Sequence, residues 1–449
     1  MTMAISFVMA SRLLGMFMIL PVFSAYLTKI PFATPILLGV AVGIYGLTQA
    51  CLQIPFGLAS DAFGRKKVIV FGLLLFILGS LMAAYSHTIY GIIIGRAIQG
   101  AGAVGSSLLA LLADHTRDEN RSKAMAFMGM SIGASFSIAM ILGPWIAAYF
   151  GLKGVFMACA ILAAIGIFVI TFLVPSQGQF TPDKTVSPNI HGFKAVFKNA
   201  QLLRLDVSIF FQHAIFTAFF IAVPLLLSHH FHLTGTHQSI FYLIIMVIAF
   251  ILMMPLVMFA EIKRKLKPLF LMAIVVVGAI QALLILFSDY HVFALSLLLI
   301  IFFTAFNFLE ATLPSWVSKV APLNVKGCAM GVYSTSQFLG IFAGGILGGF
   351  ALHHGQTQGI FILTTILAIV WLACLLQLKQ PPYLSTLLIP LDKNNFKADN
   401  PIHLLNKLMG VGDCTTVSNG QLLYVKYDKK KITEKALRNV LQTGSLPAE

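Results

Sequence analysis

The chain has 449 residues, 58% of them hydrophobic and only 10% charged, with a mean hydropathy of +0.91. Soluble domains carry about 25% charged residues, so this composition excludes an ordinary soluble protein and indicates a polytopic membrane protein. The formal net charge of +15 would suggest a nucleic-acid partner in a soluble chain, but here the bases are placed topologically, which argues against nucleic acid.

Crossing roughly 30 Å of hydrocarbon takes about twenty apolar residues. Twelve such runs are predicted, over 3–28, 35–59, 68–86, 89–113, 123–150, 153–174, 207–230, 236–260, 267–287, 291–317, 327–352 and 357–378. The first is too long for a signal-peptide core and has no basic flank before it, so it reads as a spanning helix. Between the second and third runs lies Gly57-Leu-Ala-Ser-Asp61-Ala-Phe-Gly64-Arg65-Lys66-Lys67, a tight turn with a local charge network. Between the sixth and seventh, a Pro/Ser/Thr/Gln-rich stretch and the amphipathic segment 191–205 divide the chain into six plus six.

The halves echo each other. Lys123-Ala-Met-Ala-Phe-Met-Gly opens the fifth run as Lys326-Gly-Cys-Ala-Met-Gly opens the eleventh, and Glu261-Ile-Lys-Arg264-Lys265 stands where Asp61 to Arg65 stands 200 residues earlier. Parallel repeats of this kind are an architecture of secondary transporters. With loops assigned alternately, 17 Lys/Arg fall on the side of Arg65 and only Lys29 and Lys153 on the other, so the first side is the cytoplasm and both termini are expected there. His87, His229, His230, His232, His237, His291, His353 and His354 fall at the opposite ends and read as polar loop residues. The five cysteines show no C-x-x-C spacing, so neither a disulfide framework nor a metal site is expected.

After Gln380 the composition becomes that of a small soluble module. A strand over 385–391, a helix over 401–409, a hairpin of 411–417 and 421–427 through Ser418-Asn-Gly420 and a helix over 432–441 are predicted, a ferredoxin-like order lacking its last strand. Self-association or contact with the membrane part would cover the open sheet edge. The expected organisation is therefore an all-α membrane protein of twelve transmembrane helices in two pseudo-symmetric six-helix halves, 1–174 and 207–379. A linker, 175–206, joins the halves, and a small α+β domain, 380–449, follows them.

Charge inside hydrocarbon costs at least about 2.5–3.5 kcal/mol, so each such residue is a functional candidate. Glu310 is the acid well inside a predicted run, with Asn307 one turn away, while Arg12, Arg96 and His213 lie in runs 1, 4 and 7. These positions are equivalent in a bundle of three-helix units. Glu310 reads as a protonatable carrier group, or else as a fixed ion pair. Arg12 and Arg96 read either as anion-binding groups or as partners of helix-end carbonyls, and His213 as structural. Gln49 and Gln53 fit an interhelical hydrogen bond or a cavity wall equally.

The spacing Gly57-x-x-x-Asp61-x-x-Gly64-Arg65-Lys66 resembles motif A of the major facilitator superfamily. Arg96-Ala-Ile-Gln99-Gly100-Ala-Gly102 is similar to motif B, and Ala139-x-x-x-Gly143-Pro144 to motif C of its drug/proton antiporter branch, with Ala139, Ala147 and Ala148 where glycines are usual. Gly15 to Pro21, Ile44 to Gln49, Phe306 to Ala311, Met330 to Gly340 and the tail resemble the YajR-type bacterial transporters.

The resemblance implies that Asp61 meets the amino end of helix 11 and that Arg65 pairs with Asp61 and Asp114, latching the cytoplasmic side and favouring an outward-open state. It further implies that Arg96 serves proton coupling and that Gly143 and Pro144 pack helix 5 closely across the domain interface. Relatives usually have a cytoplasmic segment before helix 1, which points to a start upstream or a barely anchored helix. The expected protein is a monomeric, proton-coupled exporter of small amphipathic or drug-like compounds in a bacterial inner membrane. The proton gradient is its energy source and lipids, protons and substrate its partners, with no cofactor or metal. A proton-linked uptake permease and a transporter-derived sensor are the alternatives. An enzyme is not expected, since no nucleophile and base pair appears.

Overall fold

The computed structural model describes residues 1–116, 118–175, 190–287, 291–322, 325–383, 385–390, 401–406, 408, 410–417, 422–428 and 431–443. The Pro-rich stretch expected between the halves lies outside the described residues except Pro175, as do the hairpin turn at 418–420 and residue 391. Ten long apolar helical stretches run through the chain. Eight are single crossings: Thr2–Lys29, Pro35–Phe63, Arg65–Tyr85, Ile89–Asp114, Ala200–His230, Gly235–Ile262, Leu266–Leu286 and Val292–Val320. The other two helices, Asp118–Phe168 and Lys326–Leu375, have 51 and 50 residues, roughly 75 Å at 1.5 Å per residue. That is too long for one crossing, and each breaks near its middle, at Gly151 (φ 64°) and at Gly355–Gln356 (φ −131° and 52°). Each is therefore treated as two segments, and the twelve segments are called spans 1–12 below.

Helix ends follow local chemistry. Thr34 Oγ1 accepts from the Leu37 amide at 3.2 Å and Pro35 takes the first turn, so span 2 starts there. Gly64 closes span 2 with φ 96°, a left-handed conformation that favours glycine, and lets Arg65 open span 3 at once. Span 7 differs from expectation. The amphipathic helix stops at Lys198, and Asn199 Oδ1 accepts from the Gln201 and Leu202 amides at 3.0 and 3.3 Å. That cap starts span 7 at Ala200, seven residues earlier than hydropathy indicated, and brings Arg204 and Asp206 into the span.

Spans 2 and 11 approach backbone to backbone in their external halves. A Cβ on Gly345 would lie 2.6 Å from the Gly39 carbonyl oxygen and 2.7 Å from the Gly43 amide nitrogen, and Gly349 meets Pro35 and Gly39 in the same way. Small residues permit this packing where dispersion, not the hydrophobic effect, holds helices together. At the opposite ends of the helices the pattern reverses. Gly129 and Gly133 on span 5 and Gly327 and Gly331 on span 11 face open space within 4 Å. The halves are thus packed together at one end and apart at the other, which with the expected orientation of the bases corresponds to an inward-facing arrangement.

A second compact unit comprises 318–326 and 380–449. Its strands β1 (Ser385–Pro390), β2 (Val411–Val417) and β3 (Leu422–Tyr427) form an antiparallel sheet in the order β1-β3-β2. Both outer strands run antiparallel to β3 and therefore parallel to each other, the split βαβ order of a ferredoxin-like sheet. The helices Pro401–Asn406 and Glu434–Thr443 cover it, and Leu387, Ile389, Leu423, Val425, Leu437 and Leu441 fill the core. The second helix starts two residues later than expected because Thr433 Oγ1 accepts from the Ala436 amide at 3.3 Å, placing Thr433 at the cap. Cys414 is buried in this core, and no metal-binding group of three or more His, Cys, Asp or Glu occurs among the described residues.

Candidate functional site: three polar clusters at and below membrane depth

The first cluster lies at the turn between spans 2 and 3. Arg65 pairs with Asp61 one helical turn earlier, its Nε donates to Asp114 Oδ2 at 3.1 Å at the end of span 4, and its Nη1 donates to Ser60 Oγ at 2.8 Å. Gly57 lets span 2 approach Ser106 of span 4, while Lys66 follows Arg65 in the first turn of span 3. All these groups belong to one half. Asp61 keeps 40% of its side chain exposed. The expected pairing of Arg65 with Asp61 and Asp114 is thus present.

Exposed ion pairs contribute only about 0.2–1 kcal/mol each, so this cluster adds little to stability. Arg65→Ala is expected to lower the thermal midpoint by no more than a few degrees while shifting the population further toward the inward-facing state. Double electron–electron resonance between labels on the cytoplasmic ends checks this; unchanged distance distributions would remove the latch role.

The second cluster fills the first half. Arg12, 1% exposed, donates from Nη2 to Tyr45 OH at 3.1 Å and to Gln49 Oε1 at 2.5 Å. Gln49 Nε2 donates in turn to Gln53 Oε1 at 3.0 Å. Gln49 therefore bonds across the span 1–2 interface, while Gln53 is bonded to Gln49 within its own helix. Arg96, 2% exposed, stands on the other face of Tyr45 with its guanidinium 4.7 Å from the ring centroid. Its Nη1 donates to Gln99 Oε1 at 2.6 Å and its Nε to the Ala41 carbonyl at 3.3 Å. Gln99 Nε2 donates onward to Ser80 Oγ at 2.8 Å. Gly100 permits this by admitting the span 2 backbone at Tyr45, where a Cβ would collide.

The third cluster occupies the second half. Glu310 of span 10 accepts from Gln212 Nε2 of span 7 at 2.9 Å and from Gln337 Nε2 of span 11 at 3.5 Å. His213 Nε2 lies 3.9 Å from Glu310 Oε2 and 2.8 Å from Gln337 Nε2. With the Gln337 amide donating, that imidazole nitrogen is an acceptor. His213 is 3% exposed but Glu310 36%, so the carboxylate is reachable while the imidazole is packed. Asn307 is buried near it with its Nδ2 unpartnered, and does not join the network. His213, read from the sequence as structural and as a member of the proton-coupling group, packs with its Nε2 beside the acid. Gln212 and Gln337 carried no individual signal in the sequence, because an amide in an apolar run reveals neither its face nor its partner.

Gly143 corrects an expectation. A Cβ there would collide with the Met18 carbonyl of span 1, so the close packing of this motif lies inside the first half and not across the interface. The cross-half approach comes a turn and a half later, where Gly235 of span 8, with φ 56°, admits the Ala148 side chain. The small residue has moved to the partner helix, which explains why alanine suffices at 148. Pro144 lies inside the helix beside this contact. Gln238 Nε2 of span 8 adds a bond to the Pro21 carbonyl of span 1 at 2.9 Å.

Between the second and third clusters the halves meet through aromatic rings. Phe136 of span 5 contacts Phe17, Phe216 and Phe306 at centroid distances of 5.2, 5.4 and 6.2 Å. Phe216 stacks on Phe306 at 4.4 Å, one turn before Glu310. Beside them a small cavity is lined by Phe17, Tyr45 and Arg96 from one half and Phe216, Thr217 and Ile341 from the other.

The sequence profile of the Major Facilitator Superfamily matches residues 5–345. The chain is 40% identical over 430 residues to the inner membrane transport protein YajR of Escherichia coli, covering 96% of this chain and 94% of that protein. It is 24% identical over 377 residues to multidrug resistance protein 1 of Bacillus subtilis, covering 83% and 94%. Among solved structures, the nucleoside transporter NupG superposes with a TM-score of 0.65 at 16% identity, covering 84% of this chain and all of that one.

Proposed function

The chain belongs to the major facilitator superfamily, and from that membership we propose that it is a proton-coupled exporter of small amphipathic or drug-like compounds in a bacterial inner membrane, with both termini cytoplasmic. The observation that carries the reading is the third cluster. A carboxylate at membrane depth, held by two amides with an imidazole beside it and still reachable, can take and release a proton without losing its neighbours. The two halves rock about the aromatic interface, and protonation of Glu310 biases the balance between inward-facing and outward-facing states. The cytoplasmic bias of the bases supports the orientation. The multidrug-resistance relative supports export of varied compounds, and the inner-membrane relative supports the location.

The test is transport by the full chain in proteoliposomes. An imposed gradient of one pH unit is expected to drive a fluorescent drug-like compound against its own gradient, in the direction opposite to proton flow. Movement of compound with the protons makes it an uptake permease, and pH-independent flux across a compound panel removes proton coupling altogether.

A further inference from the structure

The second half buries a further acid that the clusters above leave unused. Asp206, in the second turn of span 7, is 5% exposed, and its Oδ2 has no hydrogen-bond partner. Among the described residues no base pairs with it, and Arg204, two residues earlier, is turned to Gln377 of span 12 at 2.6 Å. A buried carboxyl without donor or countercharge is costly, and an ionisable side chain kept within a membrane span is a functional candidate by default.

Helix packing carries Asp206 toward Glu310. Spans 7 and 11 touch backbone to backbone: a Cβ on Gly340 would collide with the Phe210 carbonyl, one on Gly344 with the Ala214 carbonyl, and one on Gly348 would lie 2.9 Å from Ala218 Cα. The partners advance together by one turn on both helices, so the two run in the same direction. One turn earlier, the same register sets Asp206 opposite Ser336, on the face that Tyr333, Gln337 and Gly340 share. Tyr333 is 4% exposed, and its phenol is close enough to feel the charges of both Glu310 and Asp206. Gln337, a turn further along span 11, donates to Glu310 and lies beside His213. The titratable groups around Asp206 are therefore Tyr333 of span 11, beyond it Glu310 of span 10, and His213 two turns along span 7.

We propose that Asp206 and Tyr333 form the inner limb of a proton path to Glu310, closed within the second half and separate from the space between the halves. The proposal rests on the exporter reading above and adds its route. With Glu310 protonated, its O–H gives the proton to the Tyr333 oxygen as the Tyr333 O–H gives its own to the Asp206 carboxylate. The phenol stays neutral and one proton has moved, which a hydroxyl permits because it both donates and accepts. Asp206 then releases that proton at the cytoplasmic end of span 7, and rotation of the Tyr333 hydroxyl resets the path. In an exporter, cargo enters from the cytoplasm in the same state in which the proton leaves toward it. A path inside one half gives the proton a way out that incoming cargo does not block.

The experiment uses the full chain in proteoliposomes, with pH-driven transport of the fluorescent compound and its exchange at equal pH measured side by side. Asp206→Asn and Tyr333→Phe are each expected to lower the ratio of driven rate to exchange rate roughly tenfold, and Asp206→Glu to keep most of it. Asparagine retains polar contacts and glutamate retains the proton, so a merely structural role predicts the opposite ranking. Infrared titration in nanodiscs is the second measurement and needs no variant of Asp206. Two carboxyls shielded from water are expected in the unmodified chain, and Glu310→Gln is expected to remove one and shift the midpoint of the other. An unchanged ratio in Asp206→Asn, a lower ratio in Asp206→Glu than in Asp206→Asn, or a single shielded carboxyl overturns the proposal. Two coupled carboxyls in a protein without pH-driven flux leave the proton pair standing and remove the exporter. Flux driven by pH that Asp206→Asn leaves intact does the reverse.

Discussion

Glu310→Gln is expected to abolish transport driven by a pH gradient, by at least about a hundredfold, while exchange of compound down its own gradient continues. A proton gradient does work only through a group that binds the proton on one side and releases it on the other, so a side chain fixed in one state cannot couple, however well it is positioned. Glutamine keeps the shape of the carboxyl and an oxygen that can accept from Gln212 and Gln337, which donate to the carboxylate at 2.9 and 3.5 Å in the present network. The substitution also removes a charge that costs about 2.5–3.5 kcal/mol or more in hydrocarbon, so the variant is expected to be at least as stable as the parent. Uphill, pH-driven transport by folded Glu310→Gln protein in proteoliposomes would transfer the coupling role elsewhere. His213→Ala is the informative companion, because its Nε2 stands 3.9 Å from the carboxylate and a relay through the imidazole predicts a changed pH profile rather than complete loss.

A leucine at Gly345 is expected to displace the resting equilibrium in the opposite sense from a leucine at Gly129. At Gly345 the first added carbon would lie 2.6 Å from the Gly39 carbonyl oxygen, and overpacking of this kind costs about 1–3 kcal/mol. That cost falls only on states in which the external seam is closed, so the inward-facing population should drop roughly ten- to hundredfold. Gly129 meets nothing within 4 Å in the inward-facing state, and there the penalty falls on closing the cytoplasmic side. Label pairs on the external ends of spans 2 and 11 should therefore separate in Gly345→Leu and remain together in Gly129→Leu. Both variants should transport more slowly, since alternating access needs both states. Identical distance distributions in the two would show that the seam does not set the state.

Much of the architecture was legible because membrane crossings are written in composition. A run of twenty apolar residues has few alternatives in hydrocarbon, where every backbone group must bond within its own helix, and the twelve expected runs correspond to the twelve spans. The boundaries that moved did so for local polar reasons. Asn199 caps a helix that hydropathy had started at 207, and Thr433 caps one that periodicity had started at 432. The tight turn at Gly64 and its local charge network were legible from the motif, whereas the pairing of Arg65 with Asp61 across that turn and with the distant Asp114 required the family resemblance.

The sequence by itself determined which residues bear charge at membrane depth: Arg12 and Arg96 in one half, His213 and Glu310 in the other. It could do so because the cost of burying an ion depends on the residue and its depth, both of which are local. Which neutral groups surround those charges was decided only by the tertiary structure. Tyr45 between two arginines, Gln212 and Gln337 around Glu310, and the orphan hydroxyl of Thr217 lining the same small cavity as Arg96 bring together residues 27 to 121 positions apart in sequence. They depend on helix rotation and on where glycine backbones allow approach. The same holds for the closed seam of spans 2 and 11 and for the exchange of the small residue from 148 to Gly235. Packing between helices in lipid is set by shape complementarity at a few small residues, and that complementarity exists only once both helices are in place.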